Sequence, residues 1–247
     1  MANKSNKNSN QSSQKIPVPL ASLPAVLLPW YDREKRSLPW RDIVTPYRTW
    51  VSEIMLQQTR VQAVLPYFER FMSAAPDVPA LAKLAEYRLL SLWQGLGYYS
   101  RARSLQRSAR VMVGQYGGCL PDTYSDLIQL PGIGDYTAGA VASIAYGEKR
   151  PAVDGNVLRV YARLYAVRED ILKSAGRKCI TKLAEETIPG DRPGDFNEAL
   201  MDLGAEVCIP KHPRCGACPL RAFCEAARLG IEAELPVRTK KKPQTEW

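Results

Sequence analysis

The stretch VCIPKHPRCGACPLRAFC, residues 207–224, decides how the rest of the chain is read. It sets Cys208, Cys215, Cys218 and Cys224 in a C-x6-C-x2-C-x5-C spacing. Four thiolates this close in sequence can wrap one metal centre. The stretch is not a core segment: Pro210, Pro213, Gly216 and Pro219 interrupt it, and Lys211, Arg214 and Arg221 charge it. Structural zinc is commonly held by two short C-x2–4-C hooks, and only Cys215–Cys218 forms one here. Four thiolates suit either zinc or an iron–sulfur cluster. His212, the chain's one histidine, reads as a surface residue, because four cysteines complete a ligand set. Cys119 and Cys179 lie in ordinary sequence and read as structural.

Around this stretch lie 247 residues, enough for one large domain or two small ones. A hydrophobic content of 45% allows a sizeable core. No run nears the ~18–20 apolar residues of a membrane span. The start, MANKSNKNSNQSSQK, lacks the apolar centre of a secretory signal. Residues 1–19 are therefore expected to be a disordered basic arm, and the chain to be cytoplasmic and nucleoid-associated, with no membrane partner and with reduced cysteines. The balance of 34 basic against 25 acidic side chains, net +9, favours a polyanionic partner through counterion release.

The pattern is helical nearly throughout. Leu65, Phe68 and Met72, then Leu81, Leu84, Leu89, Leu90 and Leu92, recur mostly three and four apart. Pro and Gly between these runs cut the chain into roughly ten short helices. A helix within 20–45 is expected to pack on a second block. A first block over 46–150 is expected to hold six helices, and a second over 151–235 to end in the cysteine stretch. Residues 236–247 read as a basic, linker-like tail.

Leu130-Pro131-Gly132-Ile133-Gly134 joins a predicted helix over 124–129 to one over 135–145. So short a Gly-rich turn gathers backbone N–H groups at the positive end of the second helix, which makes an anion site. Leu130, Gly132 and Gly134 are taken as DNA contacts. The glycines are expected to provide positive φ and leave room for a phosphate. Thr137, Ala138, Ala140 and Ala142 are expected to keep the helix slim enough to approach a duplex. A plain packing corner between two helices is the alternative.

This turn, Val153-Asp154-Gly155-Asn156 and the four cysteines together resemble the helix-hairpin-helix base-excision glycosylases that carry an iron–sulfur cluster. Within them the chain is most similar to adenine DNA glycosylases of the MutY type. The likeness is carried by Leu38-Pro39-Trp40-Arg41, Thr45-Pro46-Tyr47, SEIMLQQT at 52–59, GLGYYSRAR at 95–103 and Met201-Asp202-Leu203-Gly204-Ala205, in that order over residues 20–240. The resemblance implies an all-α, two-lobed fold with a cluster loop, and one [4Fe–4S] cluster on Cys208, Cys215, Cys218 and Cys224. It also implies a monomer whose partner is double-stranded DNA with a mismatched or oxidised base pair. Adenine opposite 8-oxoguanine or guanine would be removed.

Cleaving an N-glycosidic bond builds positive charge on the sugar and negative charge on the leaving base, and two carboxyls in distinct environments serve both ends. Glu53 lies among Val51, Ile54, Met55 and Leu56 in a predicted helix over 50–59. Apolar surroundings raise a carboxyl's pKa. To donate near neutrality it must climb from ~4.3 to ~6–7, at a cost of about 3 kcal/mol. The resemblance implies that Glu53 protonates N7 of adenine. Asp154 precedes a predicted helix over 156–165, where an aspartate is an ordinary N-cap. The resemblance makes it the catalytic aspartate, stabilising the oxocarbenium ion directly or through a transient adduct until water adds.

Tyr136 stands two residues after the last glycine of the turn, where the endonuclease III branch has a strand-nicking lysine. A phenol forms no imine, so a monofunctional enzyme leaving an abasic site is expected, with Tyr136 hydrogen-bonded near Asp154 or the flipped base. Base flipping costs a few kcal/mol. Gln57 and Tyr98 match family positions that wedge into the stack. Arg101 and Arg103 are expected on phosphates or as surface charges, Asn156 on DNA, and Glu198 near the adenine edge.

Two other readings remain. One is a thymine glycosylase acting on G:T pairs, which leaves Glu53 without its role because thymine has no N7. The other is a non-catalytic iron–sulfur DNA-binding module, against which the presence of both acids argues. Adenine glycosylases of this type continue into a domain that recognises 8-oxoguanine. Residues 235–243 read as the start of the linker to it, and with the given sequence ending at Trp247 the chain is expected to be either cut short there or a naturally short form. Weaker discrimination of 8-oxoguanine from guanine and a weaker hold on product DNA are therefore expected.

Overall fold

The computed structural model describes residues 20–239. The arm expected over 1–19, and the tail from 240 onward, lie outside the described residues. Within them the chain is helical, without a strand. Its helices are α1 (Leu23–Glu34), α2 (Pro39–Asp42), α3 (Pro46–Leu56), α4 (Val61–Ala74), α5 (Val78–Lys83), α6 (Glu86–Trp93) and α7 (Ser100–Gln115). They continue as α8 (Tyr124–Leu127), α9 (Asp135–Tyr146), α10 (Gly155–Leu164), α11 (Ser174–Thr187), α12 (Pro193–Asp202) and α13 (Glu225–Leu229). The block over 46–150 holds seven helices where six were expected, and the helix expected over 124–129 is the single turn α8.

Local sequence sets several helix starts. Thr45 Oγ1 accepts the Arg48 amide at 3.2 Å, with Pro46 opening α3. Asp77 caps α5 and Thr123 caps α8 in the same way. The predicted helix over 50–59 is shorter than expected at its end: α3 stops at Leu56, Gln57 is its C-cap, and Gln58 takes φ of +57°.

Two cores form. Trp50, Val51 and Met55 of α3 pack with Phe68 and Phe71 of α4, Trp93 of α6, and Leu105 and Met112 of α7. Leu23, Leu27 and Tyr31 of α1 pack with Tyr161 of α10, Ile180 of α11, and Phe196 and Leu200 of α12. Full burial of each such large side chain stabilises by roughly 1.5–3 kcal/mol.

Helix α9 lies between the cores, giving Ala138, Val141 and Ala142 to the first and Ala140 to the second. Its small residues are therefore inside the molecule. Thr137, Ala138, Ala140 and Ala142 are buried, which corrects the expectation that they narrow the helix toward a duplex. The physical reason is close approach on two sides. A Cβ on Gly139 would lie 2.4 Å from the Pro151 carbonyl oxygen. Among the described residues, no helix is long and apolar enough to cross a membrane.

Candidate active site

Where the two cores meet, a cavity of about 630 Å³ is lined by Glu53, Tyr136, Asp154 and Glu198, with Gln57, Asn156 and Met201 beside them. The two acids singled out in the sequence thus share one pocket although 101 positions separate them, 53 to 154.

Glu53 projects from α3 with 6% of its surface exposed. Burial pushes its carboxyl up to about 7 from the ordinary 4.5. The Tyr136 hydrogen bond opposes that rise, the negative charges of Glu198 and Asp154 add to it, and Arg41 opposes it. Tyr136 rises from the first turn of α9, and its hydroxyl donates to Glu53 Oε2 at 2.5 Å. Burial and the neighbouring carboxylates hold the phenol protonated. Its partner is therefore Glu53, not Asp154.

Asp154 is the N-cap of α10: Oδ1 accepts the Val157 amide at 2.7 Å and Oδ2 accepts Asn156 Nδ2 at 2.9 Å. Burial raises its pKa, while these bonds and Arg159 pull it back. Asn156, expected on DNA, is committed within the protein. Its amide holds Asp154 and its Oδ1 accepts from Arg159 Nη2 at 2.8 Å.

Glu198 reaches the same cavity from α12. Its carboxylate accepts Tyr31 Oη at 2.5 Å and Arg41 Nε at 2.9 Å. Arg41 also bonds Asp202 Oδ2 at 2.7 Å, and Arg36 Nε bonds Asp202 Oδ1 at 2.9 Å. Reading the sequence did not find this buried ionic cluster. Leu38-Pro39-Trp40-Arg41 marked the arginine, but nothing in spacing pairs it with carboxylates more than 150 positions away.

At the turn before α9, Gly132 has φ of +78°, and a Cβ there would lie 2.6 Å from Ser104 Cβ, so turn and packing both require glycine. Gly134 does not share that constraint: it is the α9 N-cap at φ −105° with open space beside it. Leu130 is 3% exposed and belongs to the first core, which corrects its assignment to DNA. Its side chain seats the turn.

Tyr98 is 61% exposed at φ +49°, a position from which a ring can enter a base stack. Gln57 Nε2 donates to Thr137 Oγ1 at 3.3 Å. Arg101, expected on phosphate, is occupied elsewhere. Its Nη1 bonds the carbonyls of Ile54 and Met55, both at 3.0 Å, and of Gln57 at 2.5 Å, while Nη2 bonds those of Leu96 and Gly97 at 3.2 Å. One guanidinium thus caps the carbonyl end of α3 and ties the Gln57 loop to the Tyr98 loop. Arg103 pairs on the surface with Glu86 at 2.8 Å.

Cys208, Cys215, Cys218 and Cys224 all line one small cavity of about 30 Å³, with Arg163 and Arg221 on its wall. No three His, Cys, Asp or Glu side chains among the described residues are grouped to hold a metal ion. Four thiols lining a common space have the number and type of donor that either a zinc ion or an iron–sulfur cluster takes. Burial raises the thiols of Cys215, Cys218 and Cys224, that of Cys218 to about 11, so a metal bound there would displace their protons. The loop is tethered to α10: Arg159 Nε bonds the Cys208 carbonyl at 2.7 Å, and Arg163 bonds those of Ile209 at 2.8 Å and Pro210 at 2.9 Å.

Comparison with known proteins agrees with this geometry. An adenine DNA glycosylase of Mus musculus is 46% identical over 209 residues, covering 81% of this chain and 41% of the mouse protein. One from Homo sapiens is 46% identical over 217 residues, covering 84% of this chain and 40% of the human protein. The chain therefore spans about two-fifths of these relatives. Among solved structures, a thermostable thymine-DNA glycosylase superposes with a TM-score of 0.75 at 30% identity, covering 83% of this chain and 94% of that one. A non-covalent endonuclease III–DNA complex superposes at 0.71 with 21% identity, covering 87% and 99%, a likeness of fold. The two-lobed, all-α helix-hairpin-helix glycosylase fold expected from the sequence is the fold observed. A family model described as HhH-GPD superfamily base excision DNA repair protein matches residues 51–186, over half of the chain and including Glu53, the hairpin and Asp154. The chain belongs to that superfamily of base excision DNA repair proteins.

Proposed function

We propose that this protein is a monofunctional DNA N-glycosylase that removes adenine mispaired with 8-oxoguanine or guanine and leaves an abasic site. The observation that carries this is the shared cavity in which Glu53 and Asp154 meet under different conditions. Glu53 is buried, bonded to a phenol and raised to about 7, so near neutrality much of it keeps a proton to give to N7 of the adenine. Asp154 is held by a helix N-terminus and an amide, which offset part of the rise that burial gives its carboxyl and aim it where positive charge grows on the sugar. As the bond breaks, the base leaves with the donated proton, and water then adds to the sugar. Glu198, fixed by Tyr31 and Arg41, is positioned to accept from the adenine edge. Gln57 and Tyr98 fill the vacated stack.

No lysine lines this cavity among the described residues, which supports hydrolysis without strand cleavage. Cys208, Cys215, Cys218 and Cys224 would hold a [4Fe–4S] cluster. Their loop is joined to α10 by Arg159 and Arg163, and a cluster bound there would stiffen it. Double-stranded DNA with a mismatched or oxidised pair is the proposed partner.

The likeness to a thymine-DNA glycosylase structure that the chain covers almost fully supports a second reading, excision of thymine opposite guanine. Release of free base from duplexes with A:8-oxoG, A:G and T:G pairs decides between them. Adenine release from the first two is expected. Cleavage of T:G alone contradicts the adenine reading.

A further inference from the structure

A groove of about 990 Å³ runs from the active-site cavity along the start of α9, with α11 as its opposite wall. Gln57, Tyr136 and Arg177 line both spaces, so groove and cavity are continuous. The residues that α11 turns toward the groove are Ser174, Arg177, Lys178, Thr181, Lys182 and Glu185. Their spacing of three and four places them on one helical face. That face carries three cations, two hydroxyls and one acid. Arg177 and Lys178 form no ion pair among the described residues, and Lys182 reaches only Glu186, at 3.9 Å on an exposed pair of little strength. Facing them is the N-terminus of α9, where Gly134 opens a twelve-residue helix with its positive dipole end toward the groove. Asp135 also lies there, with Oδ1 accepting Tyr124 Oη at 2.8 Å.

We propose that this face of α11 is a second phosphate track, which grips the backbone of the DNA strand beside the extruded nucleotide, with Arg177 at the junction of groove and pocket. The chemistry is that of a polyanion held between two walls: a helix N-terminus with its free amides on one side, and regularly spaced cations with hydroxyl donors on the other. Glu185 closes the cationic stripe at its far end. This inference rests on reading the chain as a DNA glycosylase and adds a contact surface outside the hairpin.

The test is binding of the full chain to a duplex carrying A:8-oxoG, and to the same duplex undamaged, across a salt series. The variants are Lys178→Ala/Lys182→Ala and Arg177→Ala, with Lys83→Ala/Arg88→Ala as a charge-matched control outside the groove. The double variant should weaken binding to both duplexes by roughly tenfold and lower the slope of log K against log salt by about 1 to 2, while the control matches wild type. A slope for the groove variants equal to that of the control overturns the proposal. All the altered side chains are exposed, so their folding is not at issue. Base release by wild type is measured alongside. If it fails, the glycosylase reading fails, and the salt slopes on undamaged duplex still decide the groove.

Discussion

The account turns on a proton held by Glu53. Burial and neighbouring carboxylates raise its pKa to about 7, and only the neutral acid can donate. Single-turnover base release should therefore fall as pH rises through about 7. The folded state binds this proton more tightly than the unfolded chain, so stability should decline as pH climbs from 4.5 through about 7. Glu53→Gln cannot ionise and should lose that slope. Urea unfolding above neutrality should find it more stable than wild type by up to about 3 kcal/mol, with base release abolished. Tyr136→Phe removes the bond that lowers the Glu53 pKa, so the alkaline limb of its rate profile should move to higher pH. An unmoved limb would mean that the limb belongs to another group. At this scale the sequence was legible where a carboxyl sat among apolar neighbours or before a helix. It was silent on Tyr136 meeting Glu53, because a contact 83 positions apart exists only after the cores close.

Among the elements, α1, α2 and α12 are joined by the Tyr31 hydroxyl, the Arg41 guanidinium and the carboxylates of Glu198 and Asp202, which have little access to water. Arg41 has 10% of its side chain exposed, and Asp202 has 2%. Removing one partner strands the others without compensation. Arg41→Ala should cost about 3–5 kcal/mol in denaturant unfolding, and Arg41→Lys should recover little, because lysine cannot serve two carboxylates with a planar fork. Amphipathic helices such as α4 and α6 were legible because their apolar residues recur at the helical period among polar ones. The small residues of α9 were misread, since alanine and glycine look alike whether they face a duplex or two packed helices. Arg101 was misread for a related reason. A cation in a Gly-Tyr turn suggests phosphate, and the carbonyls it caps come from two separate loops brought together by packing.

Across the whole molecule, the cysteine loop, α10 and the pocket form one mechanical unit. The Cys208 carbonyl is held by Arg159, Arg159 holds Asn156, and Asn156 holds Asp154. Cys218→Ser should therefore lower the iron and sulfide content of the proposed cluster together with base release, and should loosen the second core, which Val207 and Leu220 of the loop join, while the helices of the first core, which holds no residue of the loop, keep their circular dichroism. The cysteine spacing made this loop readable from sequence. Its connection to Asp154 was not, because it passes through backbone carbonyls that carry no residue signature. The most direct measurement of the central claim is single-turnover release of adenine from an A:8-oxoG duplex by wild type, Glu53→Gln and Asp154→Asn, with binding of the same duplex measured in parallel. The account predicts adenine release by wild type, none by either variant, and binding retained by all three. Release by both variants at the wild-type rate would show that these two carboxyls do not perform the chemistry.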